Sequence, residues 1–534
     1  MTESAELLQQ TNFTTLDWVI VIVYPLISVG IGIYVWKLVS NMKDFVTAGQ
    51  GLGVCLGIAS LTGTELGLIT VMYSAQKGFT GGFAAFHIAL VEGMMALMVG
   101  LTGFIVYRLR ALQVLTIPEY YQLRFDKKTR VLGGIMMALG GILNMGLFLK
   151  VGSMFIVGIT GLSATSWALP TVMVFLITLV LIYTCLGGMI SVVLADYLQF
   201  VVLSFGLLLT TGLAIWKLGW TRIFETIELA MGESGFDPTN AESGFGWDYI
   251  IWMGFVSLLA CSVWPAIVAR ALAMESPEAV KRQYTFASIS FMIRLLIPYF
   301  WGICALVFVL GDPELRLLFF PDGYPAPAEL PEGVVAFNNL YGLPVFLGRL
   351  LPAGVIGVIT AGMIAAFMST HDSYLLCWSS VLTQDVVAPI YENKNRTISP
   401  RSRILLTRFF IVLIGLYVLY WGLMYQGDDD IWDYMAVTGS IYFSGAFSVL
   451  LGGLYWKRAS STGAFLALIT GLFALAGLSP VQDVLGINVD SARVGLMTIG
   501  CTLGAMIFGS LLFPDRNREE EGPHLDESER NHAS

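Results

Sequence analysis

The chain is short of charge. Asp, Glu, Lys and Arg make up 13% of its 534 residues, hydrophobic residues 56%, and the mean hydropathy is +0.75. Soluble domains carry roughly 25% charged residues, so this chain cannot cover the surface of one aqueous fold. A soluble protein of this length would be expected to divide into domains. There is no basic stripe, which excludes nucleic acid as a partner. There is no CxxC pair. Cys55, Cys185, Cys261, Cys304, Cys377 and Cys501 lie singly in apolar segments and are expected to be buried packing residues. The acidic first ten residues lack a basic n-region, so a cleaved signal peptide is not expected. HExxH, GxSxG and Walker patterns are missing, so the chain is not read as an enzyme and no cofactor is expected.

What the chain has in abundance is apolar runs of about 20 residues, the length that crosses a bilayer. Expected spans are 17–37, 53–76, 82–108, 131–158, 166–187, 188–216, 247–271, 284–311, 348–388, 403–424, 431–456, 460–478 and 493–513. The fold class is therefore all-α, a polytopic membrane protein of about 13 transmembrane helices. Arg108, Arg110, Arg124, Lys127, Lys128 and Arg130 share one loop; Lys281 and Arg282 flank another. Lys394, Arg396, Arg401 and Arg403 fill a third, and Lys457 and Arg458 a fourth. The alternate loops are acidic, with Glu225, Glu228, Glu233, Asp237 and Glu242 in one and Asp428 to Asp430 in another. Basic loops stay inside. The expected arrangement is multi-pass in the plasma (inner) membrane, with residues 1–16 outside and a disordered tail, 514–534, in the cytoplasm.

Two spans carry helix breakers. Residues 53–76 hold Ser60-Leu61-Thr62-Gly63-Thr64-Glu65-Leu66-Gly67, and 247–271 hold Ser262-Val263-Trp264-Pro265. Proline removes a backbone hydrogen bond. Interruptions at corresponding places in two halves point to an inverted-repeat transporter with a central site. An ordinary proline kink and a glycine packing contact would leave the same trace.

A charge at mid-bilayer costs at least about 2.5–3.5 kcal/mol on insertion scales. Glu65, Glu92, Asp196, Arg294 and the pair His371-Asp372 all fall well inside expected spans. Each needs a partner or a task, though a purely structural ion network would also satisfy them. Lys150 lies within reach of an interface and is expected to snorkel. The stretch from Ala365 through Ala366, Ser369, Thr370, Asp372 and Ser373 adds hydroxyls to a carboxylate. Hard cations take oxygen ligands, while membrane Ser and Thr commonly bond their own backbone or a neighbouring helix.

Four motifs, in order, resemble the sodium:solute symporter family, which includes sodium/proline, sodium/sugar, choline and monocarboxylate transporters. They are Thr116-Ile117-Pro118-Glu119-Tyr120 with Arg124-Phe125, Tyr183-Thr184-Cys185-Leu186-Gly187-Gly188 continuing to Asp196 and Gln199, Met368-Ser369-Thr370 with Asp372-Ser373, and Gly453-Leu454-Tyr455-Trp456-Lys457-Arg458 with Gly463-Ala464. The resemblance covers about Asp17 to Gly471. It implies a five-plus-five inverted repeat, 53–216 and 247–456, with 17–37 as an extra helix and 460–513 as C-terminal helices. It implies a sodium site from the carbonyls of Gly63, Leu66 and Ala366 and the hydroxyls of Ser369 and Thr370. Asp196, Asp372 and Ser373 match a second ion region of some members, and an Asp stands here where several relatives have Ser. Glu65, Thr70, Glu92, Trp264 and Arg294 match or neighbour substrate-contacting positions. Trp264 to Arg270 is similar to the QPHIxxR stretch of proline transporters, but Trp and Ala replace Gln and His, so proline is not supported.

The function so implied is sodium-coupled uptake of a small solute, zwitterionic or anionic if Arg294 pairs a substrate carboxylate. Arg294 could equally neutralise Glu92 or another buried acid. The alternatives are a proton-coupled permease using Asp196, His371 and Asp372 as a relay, or a solute sensor on the same scaffold.

Overall fold

The computed structural model describes residues 7, 9–35, 50–162, 165, 167–240, 243–324, 337–392, 398–425 and 430–515; within these, the side chains of 25, 28, 29, 31–35, 64, 183 and 186–202 lie outside the description. Lys394, Arg396, Glu242, Asp428, Asp429 and the tail beyond 515 lie outside the described residues, as does the Asp196 side chain.

The helices that build the core, in chain order, are α1 (Thr15–Val35), α2 (Val54–Glu65), α3 (Leu68–Gly81), α4 (Phe86–Thr102), α5 (Lys127–Asn144), α6 (Phe148–Ile159), α7 (Ala168–Leu218), α8 (Gly246–Val263), α9 (Pro265–Leu272), α10 (Pro277–Leu310), α11 (Val355–Val381), α12 (Pro400–Met424), α13 (Ile431–Tyr455), α14 (Ser461–Thr470) and α15 (Ser491–Leu512). Among the described residues no strand forms; Leu52 and Met274 make an isolated parallel bridge. Local signals set several helix starts. Ser276 accepts from the N–H of Ala279 with Pro277 in the first turn, and Asp126 accepts from Thr129. Both satisfy N–H groups that a helix start leaves unpaired.

Eight helices among the described residues are long and apolar enough to cross a membrane, ten if each of two sharply bent pairs counts as one span. Three of the expected span boundaries move. The span expected at 53–76 is split at Leu66–Gly67, leaving pieces of 12 and 14 residues. The spans expected at 166–187 and 188–216 form one continuous helix, α7, of 51 residues. Glycine weakens a helix by about 1 kcal/mol without breaking its hydrogen-bond ladder, and no proline follows Pro170 within α7. The stretch 348–388 is also divided: a short helix, Gly342–Leu350, ends before Pro352, and Gly354 at φ +84° turns the chain into α11. A π-helical turn, Leu382–Val387, follows α11.

Packing is tightest where α10 lies against α3 and α4. Gly302 of α10 meets the Ala75 backbone, and Gly78 of α3 meets the Tyr299 backbone, so closely that a Cβ at either would overlap a carbonyl. Small residues let membrane helices approach backbone to backbone. Helix α11 is covered by α1 and α7; Asp17, fully buried at the start of α1, accepts from the N–H groups of Gly354 and Gly357 at 2.7 and 2.9 Å. By contrast Leu405, Phe409, Leu413, Leu416 and Tyr420 of α12 are exposed along one stripe, as a lipid-facing helix requires. The cysteine expectation needs correction. Cys261 and Cys304 are buried, but Cys55 and Cys501 are exposed, since a perimeter that meets lipid has no need to hide a thiol.

Candidate functional site

Both interruptions are real breaks. At the first, α2 ends at Glu65, Leu66 takes φ −89° and ψ 68°, and Gly67 is extended before α3 begins. At the second, Trp264 is extended between α8 and α9, with Pro265 opening α9. The last carbonyls of a helix have no intrahelical partner. Gly63 lies among those of α2 and Leu66 follows them. The two broken helices also touch: Leu52, before α2, exchanges backbone hydrogen bonds of 3.0 Å with Ala273 and Glu275, after α9.

The first break rests on α11. A Cβ added at Gly67 would overlap the Thr370 hydroxyl. Ala366, Ser369 and Thr370 are all buried on α11, and Thr370 Oγ1 donates to the Ala366 carbonyl at 3.0 Å. The Thr370 hydroxyl, and with it the Ala366 carbonyl it bonds, therefore lies against the unwound turn. Asp372 and Ser373 follow on α11, both buried. Ser373 Oγ donates to Asp372 Oδ1 at 3.3 Å and accepts from Arg270 Nη2 at 2.6 Å. The third member of that region, Asp196, cannot be placed beside them, its side chain being outside the described residues. His371 turns elsewhere: its Nδ1 pairs with the Phe367 carbonyl at 2.9 Å, and its ring lies between Phe367 and Phe148.

Glu92 and Arg294, both buried, come together with the half-buried Glu65 as a triad. Arg294 Nη1 donates to the Glu65 carbonyl at 2.7 Å and to Glu65 Oε2 at 3.1 Å, and Nη2 pairs with Glu92 Oε1. Thr70 Oγ1 donates to the same Glu65 carbonyl at 2.8 Å, so Thr70 supports the break. Trp264 lies at the second break, its Nε1 donating to the Tyr374 hydroxyl at 2.9 Å and its ring against Tyr374, Trp378 and Phe443. Lys150 donates to the carbonyl of Tyr425, just past the end of α12, at 2.8 Å.

Two further charge clusters flank these groups, and sequence reading passed over both. Lys77, buried on α3, binds Asp430 at 2.7 Å and Asp433 at 2.9 Å at the start of α13. Asp433 also accepts from the Tyr249 hydroxyl at 3.1 Å. A lone lysine inside an apolar run was the available signal. Asp385, fully buried in the π turn, accepts from Thr116 Oγ1 at 2.9 Å and pairs with Arg130 at 2.8 Å. A cavity of about 40 Å³ lies nearby, lined by Thr116, Arg270, Ser373, Cys377 and Ser380 among others.

The comparisons with known proteins agree with this architecture. The model of the sodium:solute symporter family matches residues 45–471. The chain is 25% identical to the sodium/glucose cotransporter of Vibrio parahaemolyticus, over 86% of this chain and 84% of that one. It is 22% identical to a sodium/sialic acid symporter of Proteus mirabilis, covering 88% and 90%, and 22% identical to a sodium/proline symporter of Staphylococcus aureus, covering 91% of each. Among solved structures, a substrate-bound, outward-open Na⁺-coupled sialic acid symporter superposes with a TM-score of 0.75 at 19% identity, over 94% of this chain and 99% of that one. A closed nucleobase-cation-symport-1 transporter does so at 0.51 and 11%, over 88% and 95%. With a family model spanning most of its length and a shared helical fold, the chain belongs to the sodium:solute symporter family.

Proposed function

We propose that this protein carries a small organic solute across the membrane together with Na⁺, by alternating access. The observation that carries the reading is the seating of the unwound Leu66–Gly67 turn directly on Thr370. Sodium would be held by the carbonyls of Gly63, Leu66 and Ala366 and the hydroxyls of Ser369 and Thr370, oxygen ligands suited to a hard cation. Because the ligands belong to separate elements, the ion would tie α2–α3 to α11. Losing it would free the two to rock apart, as inverted-repeat carriers do around a central site. A second ion region at Asp196, Asp372 and Ser373 belongs to the same proposal, and so does a solute site at Glu65, Thr70, Glu92, Trp264 and Arg294.

The paired breaks at 66–67 and 264 support repeats at 53–216 and 247–456. With the N-terminus outside, the Lys77 cluster would lie toward the outer face and the Arg130–Asp385 cluster toward the cytoplasm. Each would hold one side of the protein shut. A potential of 100 mV contributes about 2.3 kcal/mol per charge moved, or roughly 50-fold accumulation. Reconstituted vesicles with sodium replaced by choline or potassium at fixed pH test the reading. Uptake should vanish, and Ser369→Ala and Thr370→Ala should each raise the sodium concentration needed for half-maximal uptake while still inserting normally. Uptake indifferent to sodium but driven by a pH gradient would replace this proposal with the proton-coupled one.

A further inference from the structure

We propose that the solute carried at this site bears a protonated amine, which docks on the two carboxylates Glu65 and Glu92. The proposal rests on the solute site named above and narrows its chemistry. Arg294 stands between two acids, which take three of its five N–H groups. Both hydrogens of Nη1 go to Glu65, one to the carbonyl and one to Oε2, and Nη2 is held by Glu92. A substrate carboxylate would thus meet a guanidinium with only two N–H groups left, flanked by two acids. The anionic solute that Arg294 suggested loses its motive.

The acids are not satisfied in turn. Glu65 Oε1 and Glu92 Oε2 are buried and have no hydrogen-bond partner; Glu92 is 5% exposed and Arg294 4%. One guanidinium against two carboxyl groups leaves the acids in excess, with two buried oxygens without donors. Buried groups in that condition are costly until a partner arrives. The donors left on the triad are Arg294 Nε and the second hydrogen of Nη2, and the acceptors left are the two carboxylate oxygens. Two unpaired acceptors beside an excess of acid suit a positive group bringing at least two N–H donors, a description that fits an ammonium. A quaternary amine has the charge without the donors, and a sugar has the donors without the charge. Aromatic rings stand close by. Tyr73 and Tyr374 both lie within electrostatic reach of Glu65 and Arg294, Tyr73 packs on Trp432, and Tyr374 packs on Trp264. Such faces attract a cation and cover the apolar body attached to it.

The test is a thermal-shift screen of the purified full chain, with sodium and with potassium in its place, over four matched arms: ammonium-bearing zwitterions and amines, quaternary amines, nitrogen-free carboxylates, and neutral polyols. Sodium-dependent stabilisation should be confined to the ammonium arm. For the compound that stabilises best, Glu92→Gln should weaken apparent affinity about tenfold or more. Sodium-dependent stabilisation by carboxylates, polyols or quaternary amines, with nothing from ammonium compounds, overturns the proposal and leaves sodium coupling standing. So does undiminished ammonium affinity in Glu92→Gln. If that variant does not fold, the selectivity of the unaltered protein still decides. No sodium-dependent shift in any arm defeats the symport reading beneath it.

Discussion

Replacing Gly67 with alanine adds one methyl group at the point where the unwound turn meets α11. Backbone strain contributes nothing to the outcome, because Gly67 is extended at φ −88° and ψ 165°, a conformation alanine adopts freely. The steric cost is specific. The new Cβ would overlap Thr370 Oγ1 and lie 3.2 Å from Thr370 Cβ and 3.5 Å from its Cγ2. Overpacking of this kind costs about 1–3 kcal/mol. If the turn must lift from α11 to relieve it, that energy is drawn from the sodium site. Sodium affinity should then fall by about 5- to 150-fold. The assay is the sodium dependence of uptake in vesicles, paired with sodium-dependent melting of the purified protein. Gly67→Ala combined with Thr370→Ala removes the clashing hydroxyl, so the pair should behave like Thr370→Ala alone and show strong non-additivity. Gly445→Ala is the control. Its Cβ would come 2.9 Å from the Ala467 carbonyl, between α13 and α14, so melting should drop without a change in sodium affinity. A folded Gly67→Ala protein with unaltered sodium affinity, or additive effects in the pair, would refute the reasoning.

Two other clusters can be tested the same way. Lys77→Met strands Asp430 and Asp433, whose side chains are 30% and 26% exposed. Partial solvation moderates the loss to about 1–3 kcal/mol, seen as a lower melting temperature that Asp433→Asn partly restores. Asp385→Asn removes the carboxylate that Thr116 and Arg130 share. Asp385 is fully buried, so about 3 kcal/mol or more should be lost. A cycle with Arg130→Gln should give a coupling of about 1–3 kcal/mol; independent effects would show that the pair does not act as a clasp.

Much of the fold was legible because its signals are local. Apolar length betrays a spanning helix wherever it occurs, and Pro265 and the glycines near Glu65 mark the breaks by what they do to their own backbone. Where the local signal was weaker, reading failed. The boundary expected between 187 and 188 falls inside α7, which runs on without a break. The buried charges, the overlooked Lys77 included, carry a signal in their place within apolar runs, except Asp385, which lies near the end of its run.

A bundle of apolar helices with two interruptions can be read from the residues alone, since apolar length and backbone chemistry act over short stretches of chain. Which charge answers which cannot, because the partners are far apart in the chain. Arg294 finds Glu65 across 229 positions and Glu92 across 202, and Lys77 finds Asp430 across 353. Pairings at such separations depend on how helices stack, and that depends on the shapes of all the side chains between them.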